Sequence, residues 1–334
     1  MAIKASQVYD QEQVSEGLKT LSSRGQEILT SLGRVILGQE KVLTEVLVAL
    51  IARGHILLEG PPGVGKTFTL KAIARSSGLS MKRVQCTPEL MPSDILGGHQ
   101  LKQGPHGPEL TFRDGPIFTE IFFADEINRA TPRTQSALLE AMGERQVTID
   151  GGLRPLSDTF IVVATQNPLD HEGTYPLPEA QSDRFFFKTL TPHPSRETLN
   201  ELLDFRADEA LHQLKSLSSS SQLTLWSELS ALIPIHQRTR QRILDLIILT
   251  RPDHHPKELH PYIADGLSPR AARDLYRACQ VHAGLMGRLV ANDTDFERCV
   301  YPALRHRLRL TWEARSSSIN ADELIAKLLQ ASVK

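Results

Sequence analysis

A glycine-rich segment with one lysine and one threonine carries the strongest chemical signal in the sequence. Residues 60–67 satisfy the pattern G-x-x-x-x-G-K-[ST]. Its glycines let backbone N–H groups point at phosphate oxygens without a Cβ in the way, and a following helix would present its positive end to the same anion. We expect Lys66 to reach the β- and γ-phosphates of a nucleotide and the Thr67 hydroxyl to coordinate Mg²⁺. The alternative is a turn that binds nothing. The predicted contacts are Gly60, Pro61, Pro62, Gly63, Val64, Gly65, Lys66, Thr67 and Phe68.

Two carboxylates follow an apolar run that is typical of a buried strand. Asp125 and Glu126 come directly after residues 121–124. Ligands of open α/β sheets bind at the carboxyl ends of the strands. We therefore expect Asp125 to hold the Mg²⁺ shell and Glu126 to orient and polarise an attacking water, a role that a hydrolase needs. Taken alone, an acidic pair after a strand is also typical of a helix N-cap.

Three further polar residues are candidates for contacts with the phosphates. Asn167 follows the apolar run 161–165 and could bond the γ-phosphate or the water, although an Asn before Pro is also a turn former. Arg184 is the candidate cation that stabilises the transition state, and an ion pair with a neighbouring carboxylate is its alternative role. Arg270 follows Ser268 and Pro269 at a predicted helix start, where a merely solvated arginine is the alternative.

Alternating helical and strand patterns position these residues. The strand candidates are 55–59, 82–86, 119–124, 159–165 and 184–189, and helical patterns separate most of them. This alternation predicts an α/β fold with a five-stranded, mostly parallel sheet covered on both faces. Residues 146–154 instead have period-two apolar residues around an Asp-Gly-Gly turn, which predicts an inserted β-hairpin.

The sequence after prolines 192 and 194 has helical periodicity and predicts a smaller all-α domain. The predicted domains are an N-terminal helical extension over 1–28, a nucleotide-binding core over 29–191, and a helical lid over 192–334 with a C-terminal helix near 321–331. The segment 252–265 carries His254, His255 and His260. We interpret it as a Pro-flanked loop rather than a metal site, because no helix presents the three histidines at ligand spacing.

Composition restricts the class of protein. The 334 residues contain 38 Lys and Arg against 39 Asp and Glu, and 40% are hydrophobic, which excludes a disordered chain and a polycationic nucleic-acid binder. Cys86, Cys279 and Cys299 form no C-x-x-C pair, which is typical of reduced thiols. Because no secretory leader pattern and no apolar run near the ~18 residues of a membrane span is seen, we expect a cytoplasmic protein.

Taken together, these motifs resemble those of the MoxR family of AAA+ ATPases. The similarity lies in residues 60–67, 124–130, 164–168, 172–180 and 268–271, with weaker likeness at 87–94 and in the hairpin around Asp150. The resemblance implies an AAA+ P-loop core with a lid. It implies Walker A at Lys66 and Thr67, Walker B at Asp125 and Glu126, sensor 1 at Asn167, an arginine finger at Arg184 and sensor 2 at Arg270. It also implies that Ile36, Gly38 and Gln39 lie against the adenine.

The function that the resemblance implies is Mg-dependent ATP hydrolysis by a homo-hexameric ring, with Arg184 of one subunit completing its neighbour's site. Members of the family act as chaperone-like factors that remodel or mature protein complexes, frequently with a von Willebrand A-domain partner. No nucleic-acid or membrane partner is expected.

Two alternatives stay open. The first is a nucleic-acid motor or loader on the same scaffold, against which the balanced charge counts. The one basic stretch, 305–309, has interleaved apolar residues and is predicted to pack in the lid or on a neighbouring subunit. The second is a GTP switch or small-molecule kinase, which the absence of an N-K-x-D signature disfavours.

Overall fold

The computed structural model describes residues 10–104, 107–149, 151–168, 173–254, 256, 258–259 and 261–332. The strands are β1 (Ile56–Glu59), β2 (Met81–Gln85), β3 (Gly97–Gly104), β4 (Gly107–Asp114), β5 (Ile121–Asp125), β6 (Gln146–Ile149), β7 (Gly152–Pro155), β8 (Ile161–Gln166), β9 (Phe187–Leu190), β10 (Ile263–Asp265) and β11 (Arg309–Leu310). The helices are α1 (Gln11–Gly33), α2 (Glu40–Ala52), α3 (Lys66–Ser77), α4 (Pro92–Leu96), α5 (Pro132–Glu144), α6 (Glu179–Ser182), α7 (Arg196–Leu203), α8 (Ala207–Gln213), α9 (Ser220–Ser230), α10 (Gln237–Leu249), α11 (Pro269–Leu285), α12 (Asp293–Leu304), α13 (Trp312–Ser316) and α14 (Ala321–Ala331).

The central sheet has the order β2-β5-β8-β1-β9, and every neighbouring pair is parallel. Its inner strands are apolar on both faces because helices cover both sides. On β1, Ile56 and Leu58 pack with α2 and α3, whereas Leu57 packs with α5 on the other side. All five predicted strands are confirmed, each with its start or end moved by no more than three residues.

Two β-hairpins project from the core. The hairpin formed by β6 and β7 confirms the predicted insertion, although Asp150 at its turn lies outside the described residues. No pattern in the sequence predicts the longer hairpin of β3 and β4, which pairs Gly97 with Asp114. The two hairpins lie against each other, since the Arg154 guanidinium stacks 3.7 Å from the centre of the Phe112 ring.

The N-terminal helix joins the core to the lid. Asp10 begins α1 with a capping box, accepting from the Gln13 N–H at 2.7 Å. The apolar residues Leu18, Leu21, Ile28 and Leu32 are buried, and α1 packs on α2, α3, α9 and α11. Residue 28, the predicted end of an N-terminal extension, lies inside this continuous helix.

The chain after β9 is helical apart from one short antiparallel pair, β10 with β11. The lid, predicted to be all-α, therefore contains one short strand pair. The sequence did not indicate it because these residues show no alternation of apolar and polar side chains. The predicted C-terminal helix is present as α14. None of the helices in the described residues is long and apolar enough to cross a membrane.

Candidate functional site

The glycine-rich loop lies between β1 and α3, as its motif requires. Gly63 and Gly65 have φ of +80° and +85°, which only glycine adopts without strain, and a Cβ on either would meet no atom within 4 Å. The loop thus encloses open space rather than packed protein. Gly65 begins α3 without any side-chain cap. Lys66 Nζ donates to the carbonyl oxygens of Gly60 (2.6 Å) and Pro61 (2.9 Å), which holds the ammonium over the loop.

The residues predicted to contact the adenine lie beside this loop. Gln39 Nε2 donates to the backbone oxygen of Val64 at 3.1 Å, while its Oε1 is buried without a partner. Ile36 is buried, and Gly38 has φ +67° with its Cα facing Thr198 of α7. Gln39 therefore lies against the glycine-rich loop and keeps a buried acceptor for a donor on a ligand.

The Asp125–Glu126 pair is held by a threonine of the neighbouring strand. Thr165 Oγ1 donates to Asp125 Oδ1 at 2.6 Å and accepts from the Glu126 N–H at 2.8 Å. Glu126 has left-handed backbone angles, φ 56° and ψ 54°, which is unusual for a residue with a Cβ. Because β8 lies between β5 and β1, Asp125, Glu126 and Asn167 lie at the same sheet edge as the loop.

Both carboxylates also have cationic or amide partners from outside the predicted set. Arg83 of β2 donates from Nε (3.0 Å) and Nη2 (2.7 Å) to Asp125 Oδ2. Glu126 Oε2 accepts from Gln85 Nε2 at 2.9 Å and from Arg129 Nη1 at 3.0 Å. The two carboxylates thus each have a guanidinium partner from the same chain, which offsets their negative charge.

The two candidate arginines lie elsewhere. Arg184 precedes β9, and the Phe186 N–H donates to the His55 oxygen at the beginning of β1, so Arg184 is at the amino edge of the sheet. Its Nη1 donates to the Leu139 oxygen of α5 at 2.8 Å. Arg270, in the first turn of α11 as predicted, has Nη1 3.7 Å from Asp183 Oδ2. The structure therefore links Arg270 to Asp183, the residue before Arg184, and places Arg184 at the opposite end of the strands from the loop that carries Lys66; the roles predicted for the two arginines stay predictions.

The basic stretch 305–309 packs against other parts of the chain rather than lying exposed on the surface. Arg305 donates to both oxygens of Asp322 at 2.8–2.9 Å, and Arg307, whose side chain is 1% exposed, donates to Asp274 at 2.6 Å. Together with the β1 end, loop 176–183 and Arg315, these residues line a cleft of about 500 Å³ between core and lid, and none of residues 60–67 lines it.

One buried group near the site, the Cys86 thiol, has a shifted pKa value. Burial, aided by the charges of Asp125 and Glu126, raises the pKa of the Cys86 thiol to about 12, so this cysteine is no nucleophile at neutral pH. All three cysteines are buried and free. Within the described residues no group of three His, Cys, Asp or Glu could hold a metal ion; His255 and His260 lie outside those residues.

Comparison with known proteins agrees with this geometry. The family described as "ATPase family associated with various cellular activities (AAA)" matches residues 55–187, and the "AAA lid domain" matches residues 257–328. A solved structure of a putative ATPase from Cytophaga hutchinsonii superposes with a TM-score of 0.86 at 33% identity, over 96% of this chain and 97% of that one. The fold and the loop thus define an AAA ATPase with its lid.

Similar proteins of known sequence identify the family within this class of ATPases. The chain is 37% identical over 318 residues to the chaperone MoxR1 of Mycobacterium tuberculosis, covering 95% of this chain and 84% of that protein. It is 30% identical to the protein MoxR of Methylorubrum extorquens over 316 residues, or 87% of this chain and 90% of that protein. The chain therefore belongs to the MoxR family of AAA+ ATPases, and it is an ATPase.

Sequence reasoning missed four side chains around the carboxylates: Thr165, Arg83, Gln85 and Arg129. They lie on β2, on β8 or just after β5, so their contacts with the carboxylates depend on which strands are neighbours. Arg83 and Gln85 alternate along β2, so they share a face. That spacing is the one signal in the sequence that could have pointed to a paired role.

Proposed function

We propose that the chain hydrolyses ATP with Mg²⁺ held by Thr67 and Asp125. The observation that carries this proposal is the Asp125–Thr165–Glu126 arrangement at the same sheet edge as the loop 60–67. The residues fit the group: the loop leaves space where phosphates would lie, and the hydroxyl and carboxylate are oxygen ligands of the kind Mg²⁺ prefers. Bound there, the metal would offset negative charge on the phosphates.

The other predicted residues then have distinct tasks. Lys66 would exchange its two carbonyl partners for phosphate oxygens. The exchange is favourable because a cation binds an anion more strongly than it binds a neutral acceptor. Asn167 would bond the γ-phosphate or the water. Ile36, Gly38 and Gln39 would contact the adenine, with Gln39 Oε1 accepting from its amino group.

Glu126 would act as the group that orients and polarises the water. Gln85 and Arg129 donate to Glu126 Oε2, and the Glu126 side chain is 27% exposed, so the carboxylate is accessible to a ligand. A carboxylate that is fixed by its backbone bond to Thr165 needs little rearrangement to receive a proton from water.

Arg184 and Arg270 would serve the nucleotide of a neighbouring subunit. Arg184 lies at the amino edge of the sheet, whereas the loop follows the carboxyl end of β1, so a strand length of about 10 Å separates the two edges. Two surfaces at opposite edges support a head-to-tail assembly. We propose a homo-hexameric ring in which both arginines complete the adjacent site.

The proposed client is a protein. Leu101 and Leu110 are directly opposite each other across the β3–β4 hairpin and are 73% and 66% exposed, and Leu153 on β7 is 64% exposed. Exposed apolar side chains of this kind suit a polypeptide, whereas a nucleic-acid backbone requires exposed cations, and here the basic stretch 305–309 is paired internally. We propose chaperone-like remodelling in the cytoplasm, with a von Willebrand A-domain protein as a candidate partner.

The test uses a variant that retains ATP. Glu126→Gln should bind ATP with unchanged affinity and lose turnover by two orders of magnitude or so, because an amide cannot accept the proton. With ATP it should then retain its client in a pull-down, for which Lys66→Ala, unable to hold ATP, is the matched control. Wild-type turnover in Glu126→Gln would remove Glu126 from the mechanism. Salt-dependent micromolar binding of DNA or RNA would instead favour the nucleic-acid motor.

The assembly is tested by mixing subunits. Arg184→Ala chains added to wild-type chains should lower the rate by more than their share, since one altered subunit inactivates a neighbour's site; loss of such a finger is worth about 10³-fold or more in rate. A strictly linear dilution would exclude action between subunits.

A further inference from the structure

The segment that carries Arg184 is bound to the lid on both sides. Arg307 donates through Nη2 to the backbone oxygens of Asp183 (3.2 Å) and Phe185 (2.7 Å), the residues that flank Arg184. His306 Nε2 donates to the same Phe185 oxygen at 2.7 Å. Because the Arg307 side chain is fully buried, losing these bonds would leave donors without water to replace them. The backbone around Arg184 is thus fixed relative to the lid.

One carboxylate connects this segment to Arg270. Asp183 Oδ1 accepts from Ser268 Oγ at 3.0 Å and lies 3.4 Å from Arg307 Nε, while its Oδ2 lies 3.7 Å from Arg270 Nη1. Ser268 is the N-cap of α11 and accepts from the Ala271 N–H with the same hydroxyl. Asp183 therefore contacts the beginning of the helix and the arginine in its first turn at the same time.

Arg270 keeps access to a ligand while it is held. Its side chain is 42% exposed, and among the residues that the structure describes Asp183 provides the carboxylate within 4 Å of it. An unrestrained arginine loses rotamer entropy when it is fixed on a ligand. A carboxylate that orients the guanidinium beforehand removes part of that cost at the transition state.

We propose that Asp183 is a positioning residue that fixes Arg270 relative to Arg184, so that both guanidinium groups reach the same triphosphate on the adjacent subunit. The inference rests on the proposed function, because it requires both arginines to act on ATP. Asp183 then contributes to the rate of ATP hydrolysis independently of any effect on folding.

A double-mutant cycle on the full chain tests this task. Asp183→Asn removes the charge that holds Arg270, while its amide oxygen can still accept the Ser268 hydroxyl. We expect kcat for ATP to fall about 5- to 30-fold with KM changed less than about 3-fold, since the ground-state contacts of the nucleotide lie elsewhere. Arg270→Ala should cost at least as much, and the double variant should equal Arg270→Ala alone, because Asp183 then has nothing to position.

The matched control is Asp274→Asn. Asp274 Oδ2 accepts from Arg307 Nη2 at 2.6 Å, as Asp183 contacts Arg307, but among the described residues Asp274 forms no ion pair with Arg270, which lies one helical turn before it in α11. This variant should keep kcat within about 2-fold. An equal loss in Asp274→Asn, wild-type kcat in Asp183→Asn, or losses that multiply in the double variant would overturn the inference and leave the proposed function standing. Wild-type turnover in Arg270→Ala would overturn both the role of Arg270 and the inference.

Discussion

The Thr165 hydroxyl offers the sharpest test of how the candidate catalytic carboxylates, Asp125 and Glu126, are held. It is fully buried, donates to Asp125 Oδ1 at 2.6 Å and accepts from the Glu126 N–H at 2.8 Å. Thr165→Val keeps the shape of the side chain and removes both bonds. Thr165→Ser keeps the hydroxyl and removes a methyl group. The two variants therefore separate the hydrogen bonds from the packing.

The expected losses of stability and of rate follow from the hydrogen bonds and contacts that each variant removes. In Thr165→Val, a backbone N–H and a mostly buried carboxylate each lose a partner, at about 1–3 kcal/mol apiece, so we expect the free energy of unfolding to fall by about 2–6 kcal/mol. Thr165→Ser should lose only about 1 kcal/mol, the value of a buried methyl group. Glu126 would also lose the bond that maintains its left-handed backbone, so kcat should fall about 10-fold or more in the valine variant.

The assay combines urea unfolding with steady-state ATP hydrolysis. Turnover is measured at temperatures where both variants are folded, so that a loss of rate is not a loss of protein. The expected order of kcat is wild type, then serine close behind, then valine. A valine variant that turns over as fast as the serine variant would refute the idea that this hydroxyl positions Asp125 and Glu126.

Three further outcomes are expected. Arg83→Gln should lower the Mg²⁺ concentration for half-maximal ATPase activity by about 3- to 10-fold, because a guanidinium no longer competes for Asp125; an unchanged or higher requirement would contradict this. Burial lowers the pKa of His55 to about 4, so as the pH falls the unfolded chain is protonated before the folded chain and stability decreases. His55 should contribute a loss of about 1.4 kcal/mol between pH 7.5 and 5.5, measured as the difference between the wild type and His55→Gln in urea titrations, beyond the loss from the similarly shifted His306. Replacing Leu101 and Leu110 by Ser should leave basal ATPase activity within about 2-fold and weaken client capture by Glu126→Gln, whereas undiminished capture would exclude the hairpin as the client surface.

The sheet and the phosphate-binding loop were predictable because each leaves a local signal. Strands buried on both faces give continuous apolar runs, and the loop gives a fixed spacing of glycines. The β3–β4 hairpin gives neither, since Leu101 and Leu110 are the exposed apolar pair in an otherwise polar and glycine-rich segment. Its strands are stabilised by pairing with each other and by contacts with the second hairpin.

The missed side chains depend on strand order, which no local pattern encodes. Thr165 reaches Asp125 because β8 is beside β5, and Arg83 reaches it from β2 on the other side. Arg270 was correctly predicted at a helix start, yet its distance from Asp183 follows from how the lid docks on the core. These long-range contacts can be identified only from the folded structure.

The parallel sheet places the glycine-rich loop and Arg184 at opposite ends of its strands. In the proposed head-to-tail assembly, unlike surfaces of neighbouring subunits meet, so each subunit has one neighbour that it serves and another that serves it. If the angle between subunits fails to close such a chain, one terminal site stays without its arginine, so closure of the circle itself becomes a condition for full activity.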